Sequence, residues 1–302
     1  MWVLALFGPT AVGKTGVAIA AAERLRERGE NPVAVNCDSI QVYSGLEVLS
    51  GAATPEEREQ LEHRLLSFVP PGEEFSAGRY AEAAHAEIDA LLADSRRPIV
   101  VGGTGLYLRA ALADLDLRPP VPAEIRAEVE SEIEERGAEA LHGELEPDLA
   151  STVDPNDRKR IARLTELERA GIEAAVGAEG MWTAELRQPT LLVGLVMDRG
   201  QLAGRIDARV DEMVSAGAAE EAREAVEAGA SRTARAALGL EQLVEDIDAA
   251  PSDESIDRVK AAHRAYARRQ LTWMRRMEGV TLIDRTDRTD DEVAAEVVGL
   301  ID

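Results

Sequence analysis

Apolar positions in this chain fall into short continuous runs separated by amphipathic stretches. Val3-Leu4-Ala5-Leu6-Phe7, Pro32 to Cys37, Pro98-Ile99-Val100-Val101 and Thr190 to Met197 are such runs. Short uninterrupted apolar runs between turn residues predict strands buried on both faces, as in a parallel sheet covered by helices. Thr281 to Ile283 is a candidate last strand. Helical patterns are predicted over Gly16 to Arg28, from Ser76 to about Ala93, over Asp198 to Ala228 and over Glu254 to Met277. Thr54-Pro55-Glu56-Glu57 has the form of a helix cap and first turn. Ser231 to Ile247 is a further segment between helices, and the tail is short and acidic. The pattern changes between 116 and 187. Pro119, Pro120 and Pro122 break the chain, charged helices are predicted over Ala123 to Arg136 and Asp154 to Ala170, and no convincing strand occurs. The expected architecture is α/β: a parallel sheet flanked by helices, built from residues 1–115 and 188–302, with an all-helical insertion at 116–187.

Composition narrows the setting. A chain of 302 residues is long enough for a core domain with a sizeable insertion, or for two domains. A single cysteine, Cys37, excludes a disulfide framework and a cysteine-rich zinc site. No stretch reaches transmembrane length, and the first residues lack a basic flank before an apolar core, so no signal peptide and a cytoplasmic location are expected. The formal net charge of −23 argues against a polyanionic partner taken as a whole. The positive charge is nonetheless clustered. Residues 258–276 hold Arg258, Lys260, Arg264, Arg268, Arg269, Arg275 and Arg276 and no acid, and Arg158, Lys159, Arg160 and Arg163 form a smaller group. Local field decides where a polyanion docks, although either cluster alone also fits a solvated helix face. Lysine occurs only at Lys14, Lys159 and Lys260, a bias that fits a GC-rich genome or a salt-adapted surface.

The chemistry begins after the first run. Gly8-Pro9-Thr10-Ala11-Val12-Gly13-Lys14-Thr15 fits G-x-x-x-x-G-K-[ST] between a strand and a helix, the P-loop context, so the expected core is a P-loop NTPase-like parallel sheet flanked by helices. Backbone N–H groups and a helix N-terminus then face a phosphate, Lys14 supplies a point charge and Thr15 a hydroxyl suited to Mg²⁺. The pattern does not say whether the ligand is a nucleoside triphosphate or another diphosphate. Asp38, at the carboxyl end of the second run, lies on the ligand edge of such a sheet or serves as a turn or cap residue. Thr104, in Gly102-Gly103-Thr104-Gly105-Leu106-Tyr107, either meets a substrate or caps the next helix. Arg205 and Arg209 lie one turn apart on one helix face.

These blocks together resemble the tRNA dimethylallyltransferase family, also called IPP transferases. The matching residues are Gly8 to Thr15; Asp38-Ser39-Ile40-Gln41-Val42-Tyr43; Gly102 to Tyr107; Asn156-Asp157-Arg158-Lys159-Arg160; Arg205 to Met213; and Arg268-Arg269-Gln270-Leu271-Thr272-Trp273-Met274-Arg275-Arg276. The P-loop is shared by many enzymes, whereas the Asp-Ser-x-Gln-Val-Tyr, Gly-Gly-Thr-Gly-Leu-Tyr and Arg-Gln-Leu-Thr-Trp blocks in combination are specific.

The resemblance implies transfer of a dimethylallyl group from dimethylallyl diphosphate to N6 of the adenine next to the anticodon of certain tRNAs. The loop Gly8, Pro9, Thr10, Ala11, Val12, Gly13, Lys14 and Thr15 would hold the donor diphosphate rather than ATP, with Mg²⁺ on Thr15 and a second cationic clamp from Arg205 or Arg209. Asp38 would accept the proton of the amine and Thr104 would hydrogen-bond beside it. Asp38, Ser39, Ile40, Gln41, Thr104, Arg126, Asn156, Asp157, Arg158, Lys159, Arg160, Arg268 and Arg269 would contact tRNA, as would the segment Ala236 to Gln242. Gln41 is suited to an adenine edge, and the base must be splayed out to reach the site. A monomer is expected.

The chain departs from the family pattern in three places. Gly51-Ala52-Ala53-Thr54-Pro55 lacks the usual lysine, Gly239-Leu240 replaces Gly-Tyr, and His63-Arg64-Leu65-Leu66-Ser67 replaces His-His-Leu-Ile-Asp. The competing readings are an adenylate isopentenyltransferase acting on a free nucleotide, a P-loop small-molecule kinase using ATP, and a non-catalytic P-loop protein that binds RNA.

Overall fold

The computed structural model describes residues 2–173, 185–245 and 250–301. Six strands form one parallel sheet: β1 (Val3–Phe7), β2 (Pro32–Asn36), β3 (His63–Arg64), β4 (Arg97–Gly102), β5 (Thr190–Val196) and β6 (Thr281–Asp284), in the order β3-β2-β4-β1-β5-β6. The apolar runs become strands because every side chain in β1, β2 and β4 is buried, which only a sheet covered on both faces provides. Leu4, Leu6, Ile99, Val101, Val193 and Leu195 point to one face. There they pack with Val17 and Ala21 of the helix Lys14–Glu27 and with Val293 and Val297 of the helix Asp290–Gly299. Each such side chain, fully buried, contributes roughly 1.5–3 kcal/mol. The alternate residues Val3, Ala5, Phe7, Val33, Val35 and Val100 are equally buried. Beyond the end of β2, Tyr80 of the helix Ala77–Ala93 donates to the Asn36 carbonyl at 2.8 Å and stacks on Tyr107 of the helix Gly105–Leu112, ring centroids 4.1 Å apart.

The structure differs from the sequence pattern in several places. β3 is two residues long, too short for a period to show, and pairs with β2 through Ala34–His63 and Val35–Arg64. The tail forms the helix Asp290–Gly299, opened by a Thr289–Glu292 capping box. The stretch Asp198 to Ala228 divides into Arg199–Ser215 and Ala218–Glu227, because Gly217 turns left-handed at φ 99°. Thr54 and Glu57 form the expected capping box on Pro55–Gln60. Within Ser231 to Ile247 a 3₁₀ turn, Ala234–Ala236, and a short helix, Leu240–Leu243, occur, and residues 246–249 lie outside the described residues. Among the described residues no helix is long and apolar enough to cross a membrane.

The chain divides into two compact units, residues 1–114 with 184–302, and residues 115–183. The second is helical among its described residues; 174–183 of the expected insertion lie outside them. Its core is Val129 and Ile133 of the helix Ala123–Arg136, Leu141, Leu145, Val153, and Ile161 of the helix Arg158–Arg169.

Candidate active site

The loops that leave β1, β2 and β4 meet the long helix Asp253–Met274 at the carboxyl edge of the sheet, where parallel α/β folds hold ligands. Gln270 of that helix ties two of them together. Its Oε1 accepts the Thr10 amide at 2.8 Å, and its Nε2 donates to the Gly103 carbonyl at 2.7 Å. Gln270 is buried, so each of these groups would lose a partner that water cannot replace if the amide were removed. Trp273, one turn on, lies so close to Gly105 that a Cβ there would overlap its indole ring.

The P-loop curls through two left-handed residues, Ala11 at φ 61° and Gly13 at φ 85°, a nest geometry that gathers backbone N–H groups toward an anion. Lys14 opens the following helix, and its Nζ donates to the carbonyls of Gly8 at 3.1 Å and Pro9 at 2.9 Å. Burial, and then the nearby Arg209 guanidinium, push the Lys14 ammonium down to about 8, while Asp38 opposes the shift. Thr15 lies beside it in the first helical turn. Among the described residues no cluster of three or more His, Cys, Asp or Glu side chains could cage a metal. A lone hydroxyl beside a phosphate cradle suits Mg²⁺, which keeps several waters and shares its remaining positions with phosphate oxygens.

Asp38 follows β2 and faces the loop. Its Oδ1 accepts the Ile40 amide at 3.0 Å, and its own amide donates to Asn36 Oδ1 at 3.1 Å. One oxygen thus holds the turn, and Oδ2 takes no hydrogen bond among the described residues. The carboxylate raises the ammonium of Lys14 and the phenol of Tyr266, which is pushed up first by burial. Thr104 occupies a cap position, but its hydroxyl makes no capping bond. Instead Thr104 Oγ1 accepts the Ser39 amide at 3.1 Å and lies 3.3 Å from both Ser39 Oγ and the Tyr266 hydroxyl. The two strand ends are therefore stitched together through Thr104.

Gln41 and Arg209 converge on one backbone oxygen. Gln41 Nε2 donates to Gly51 O at 3.0 Å and Arg209 Nη2 to the same atom at 2.9 Å. Arg205 reaches the P-loop directly, with Nε donating to Ala11 O at 3.0 Å. The segment lacking a lysine thus has a guanidinium against it.

A family model described as IPP transferase matches residues 41–277, well over half of the chain. The chain belongs to the IPP transferase family. A tRNA dimethylallyltransferase from Anaeromyxobacter dehalogenans is 41% identical over 281 residues, covering 91% of this chain and 92% of its own. Among solved structures, the tRNA isopentenylpyrophosphate transferase of Bacillus halodurans superposes with a TM-score of 0.72 at 31% identity, covering 99% of this chain and 95% of its own. The Staphylococcus epidermidis enzyme of the same description gives 0.70 at 29% identity, covering 100% and 99%. These family members bear out the α/β fold with a parallel sheet, and the resemblance drawn from the motifs.

The structure places the remaining expected residues unevenly. Arg268 and Arg269 are exposed on the long helix, and the Arg269 guanidinium lies 5.4 Å from the centre of the Tyr266 ring. The other half of that basic cluster is neutralised at home: Lys260 pairs with Asp211 at 2.7 Å, Arg264 with Asp207 and Arg258 with Glu245. In the helical unit, Asp157 caps the helix Arg158–Arg169 through the Arg160 amide at 3.2 Å, and Asn156 donates to Asp154 at 2.8 Å. Arg158 lies 3.8 Å from Glu134, Lys159 is exposed, and Arg126 is partly buried. Leu240, where the resemblance implied an aromatic ring, is fully buried.

Sequence reasoning named no role for Gln270, Tyr266 or Arg285. A signal existed for two of them: Tyr266, Gln270 and Trp273 share one helical face at i, i+4 and i+7. Arg285 carried no such sign.

Proposed function

We propose that this chain transfers a dimethylallyl group from dimethylallyl diphosphate to the exocyclic N6 of the adenine adjacent to the anticodon in tRNA, giving N6-isopentenyladenosine. The observation that carries this reading is the Thr10–Gln270–Gly103 bridge, which joins a phosphate cradle to the turn bearing Thr104, itself bonded to the Asp38–Ser39 turn. A donor diphosphate and an acceptor amine need such adjacent sites.

In the reaction the allylic C–O bond of the donor breaks and a C–N bond to adenine forms. Negative charge gathers on the departing diphosphate, where Lys14 and the loop amides stabilise it. N6 is a weak nucleophile because its lone pair is delocalised into the ring. Asp38, through its unbonded oxygen, takes the N6 proton as the new bond forms. Thr104 holds the amine in line, and Arg205 and Arg209 add positive potential behind the diphosphate. Mg²⁺ held by Thr15 would neutralise diphosphate charge.

On the tRNA side, Ser39, Ile40, Gln41, Arg268 and Arg269 in the core unit, and Arg126 with Asn156 to Arg160 in the helical unit, contact the anticodon arm. The enzyme acts as a monomer in the cytoplasm.

The deciding experiment supplies labelled dimethylallyl diphosphate and Mg²⁺ with unmodified tRNA in one tube and AMP in another. Label on tRNA alone supports this reading. Label on AMP alone assigns the chain to the free-nucleotide enzymes; in a third tube with labelled ATP and AMP, phosphoryl transfer without prenyl transfer in the other two assigns it to the kinases.

A further inference from the structure

Arg285 follows β6 directly and lies beyond the residues matched by the family model. It is a buried cation, 4% exposed, in a chain that keeps most of its arginines at the surface. Its backbone amide donates to Val196 O at 3.0 Å, which fixes it at the carboxyl end of β5. The guanidinium then turns toward the back of the P-loop. Nη1 donates to Val12 O at 2.6 Å and reaches Gly13 O at 3.3 Å. Nη2 pairs with Asp290 at 3.0 Å and reaches Arg288 O at 3.4 Å. The fit is close: a Cβ on Gly13 would overlap the Arg285 guanidinium, and a Cβ on Gly16 would overlap the Asp290 carboxylate.

The consequence follows from peptide geometry. A trans peptide unit is planar, so its C=O and its N–H point in opposite directions. Tying the carbonyls of Val12 and Gly13 to Arg285 turns the N–H groups of Gly13 and Lys14 the other way. Arg205 does the same to the Ala11 carbonyl from another side. Lys14 also bonds loop carbonyls, but it must reach toward the ligand when the ligand arrives. Arg285 is buried and ion-paired, so its hold on the loop persists through the reaction. A preformed array of donors costs no reorganisation when charge develops on the leaving group.

We propose that Arg285 is a positioning residue for the diphosphate site: it locks the Val12–Gly13 peptide units with their N–H groups facing the donor, and so sets donor affinity without touching the donor. The proposal rests on the reading of the P-loop as a prenyl-diphosphate site.

The test uses the full chain with Arg285→Gln and Arg285→Lys. Binding of inorganic pyrophosphate with Mg²⁺ is measured by calorimetry, and the KM values for donor and for tRNA by steady-state transfer. Arg285→Gln is expected to weaken pyrophosphate binding and raise the donor KM about tenfold to a hundredfold, the range for losing charged hydrogen bonds at a buried site. The KM for tRNA stays at the wild-type value, and Arg285→Lys recovers part of the loss because it keeps the charge and one carbonyl bond. If pyrophosphate affinity and donor KM match the wild type in the folded variants, the proposal is overturned. It is also overturned if donor KM, tRNA KM and thermal midpoint shift together, since Arg285 would then serve general stability alone. Should Arg285→Gln not fold, Arg285→Lys decides by the same readouts. Wild-type transfer to tRNA alongside unaffected variants removes only the role of Arg285. A wild type that neither binds pyrophosphate nor transfers the prenyl group removes the functional reading, and this role with it.

Discussion

The Thr10 amide donates to Gln270 Oε1 at 2.8 Å across 260 residues of chain. The loop that would hold the leaving group is thereby registered against the long helix, and through Gly103 against the turn that carries Thr104. Gln270→Leu removes both bonds while keeping the volume similar. It should lower kcat/KM for the donor about tenfold to a hundredfold, since each buried group left unsatisfied costs about 1–3 kcal/mol. Gln270→Glu keeps the acceptor for Thr10 but sets a carboxylate against the Gly103 carbonyl. Its loss should persist at neutral pH and diminish as the pH falls and the carboxyl protonates. Steady-state kinetics across pH check both variants, and wild-type rates in Gln270→Leu would disprove the coupling.

Asp38→Asn keeps the Ile40 turn bond within reach of an amide oxygen and removes the base. kcat should fall by about 10²–10⁴, the usual worth of positioned proton transfer, while tRNA affinity changes little. A variant with near-normal kcat and weakened RNA binding would instead make Asp38 a contact residue. Filter binding beside single-turnover transfer separates the two.

If Lys14 holds the donor, as proposed, donor capture should depend on pH. The Lys14 pKa in the free enzyme is about 8, lowered first by burial and then by Arg209. The ammonium is the form that attracts a diphosphate, so the affinity is complete below that pH and falls as the pH rises through it. kcat/KM for the donor reports free-enzyme ionisation and should decline above pH about 8. The diphosphate raises the Lys14 pKa in the complex, so kcat should hold to higher pH. Lys14→Ala should lack this limb and start from a much lower value.

The two halves of the basic helix should behave differently toward RNA. Arg258, Lys260 and Arg264 are committed to Glu245, Asp211 and Asp207, and pairs at or near the surface are worth about 0–1 kcal/mol each. Arg268 and Arg269 are exposed. Neutralising both should weaken tRNA binding and reduce the slope of log affinity against log salt by about 1.4–1.8, from roughly 0.7–0.9 per phosphate contact. Arg258→Gln with Arg264→Gln should leave the slope nearly unchanged. Equal effects from the two pairs would show that the helix acts through its total charge.

Local pattern determined much of this protein. Uninterrupted apolar runs can be satisfied only between two helical layers, so β1, β2, β4 and β5 and their parallel arrangement were legible, and so was the Gly8 to Thr15 loop, whose glycine spacing states its own geometry. The blocks at Asp38 and Gly102 carried the family. What the sequence alone left open was whether Asp38 and Thr104 were turn residues or site residues. The tertiary structure uses one Asp38 oxygen for the turn, leaves the other without a hydrogen bond among the described residues, and turns the Thr104 hydroxyl away from capping toward Ser39 and Tyr266. β3 and the tail helix were hidden because two residues carry no period and an acidic surface masks the apolar stripe of Val293, Val297 and Val298. The role of Gln270, which showed only as part of a helical face, and the whole of Arg285 were hidden for a deeper reason. Their partners lie 260 and 273 residues away in sequence, and a lone glutamine or arginine looks like any surface residue until the fold buries it against a backbone that needs it. Composition and periodicity determine which segments must be covered. Only the folded chain decides which polar side chains are sealed in with them, because that depends on which unsatisfied carbonyls and amides arrive at the same place.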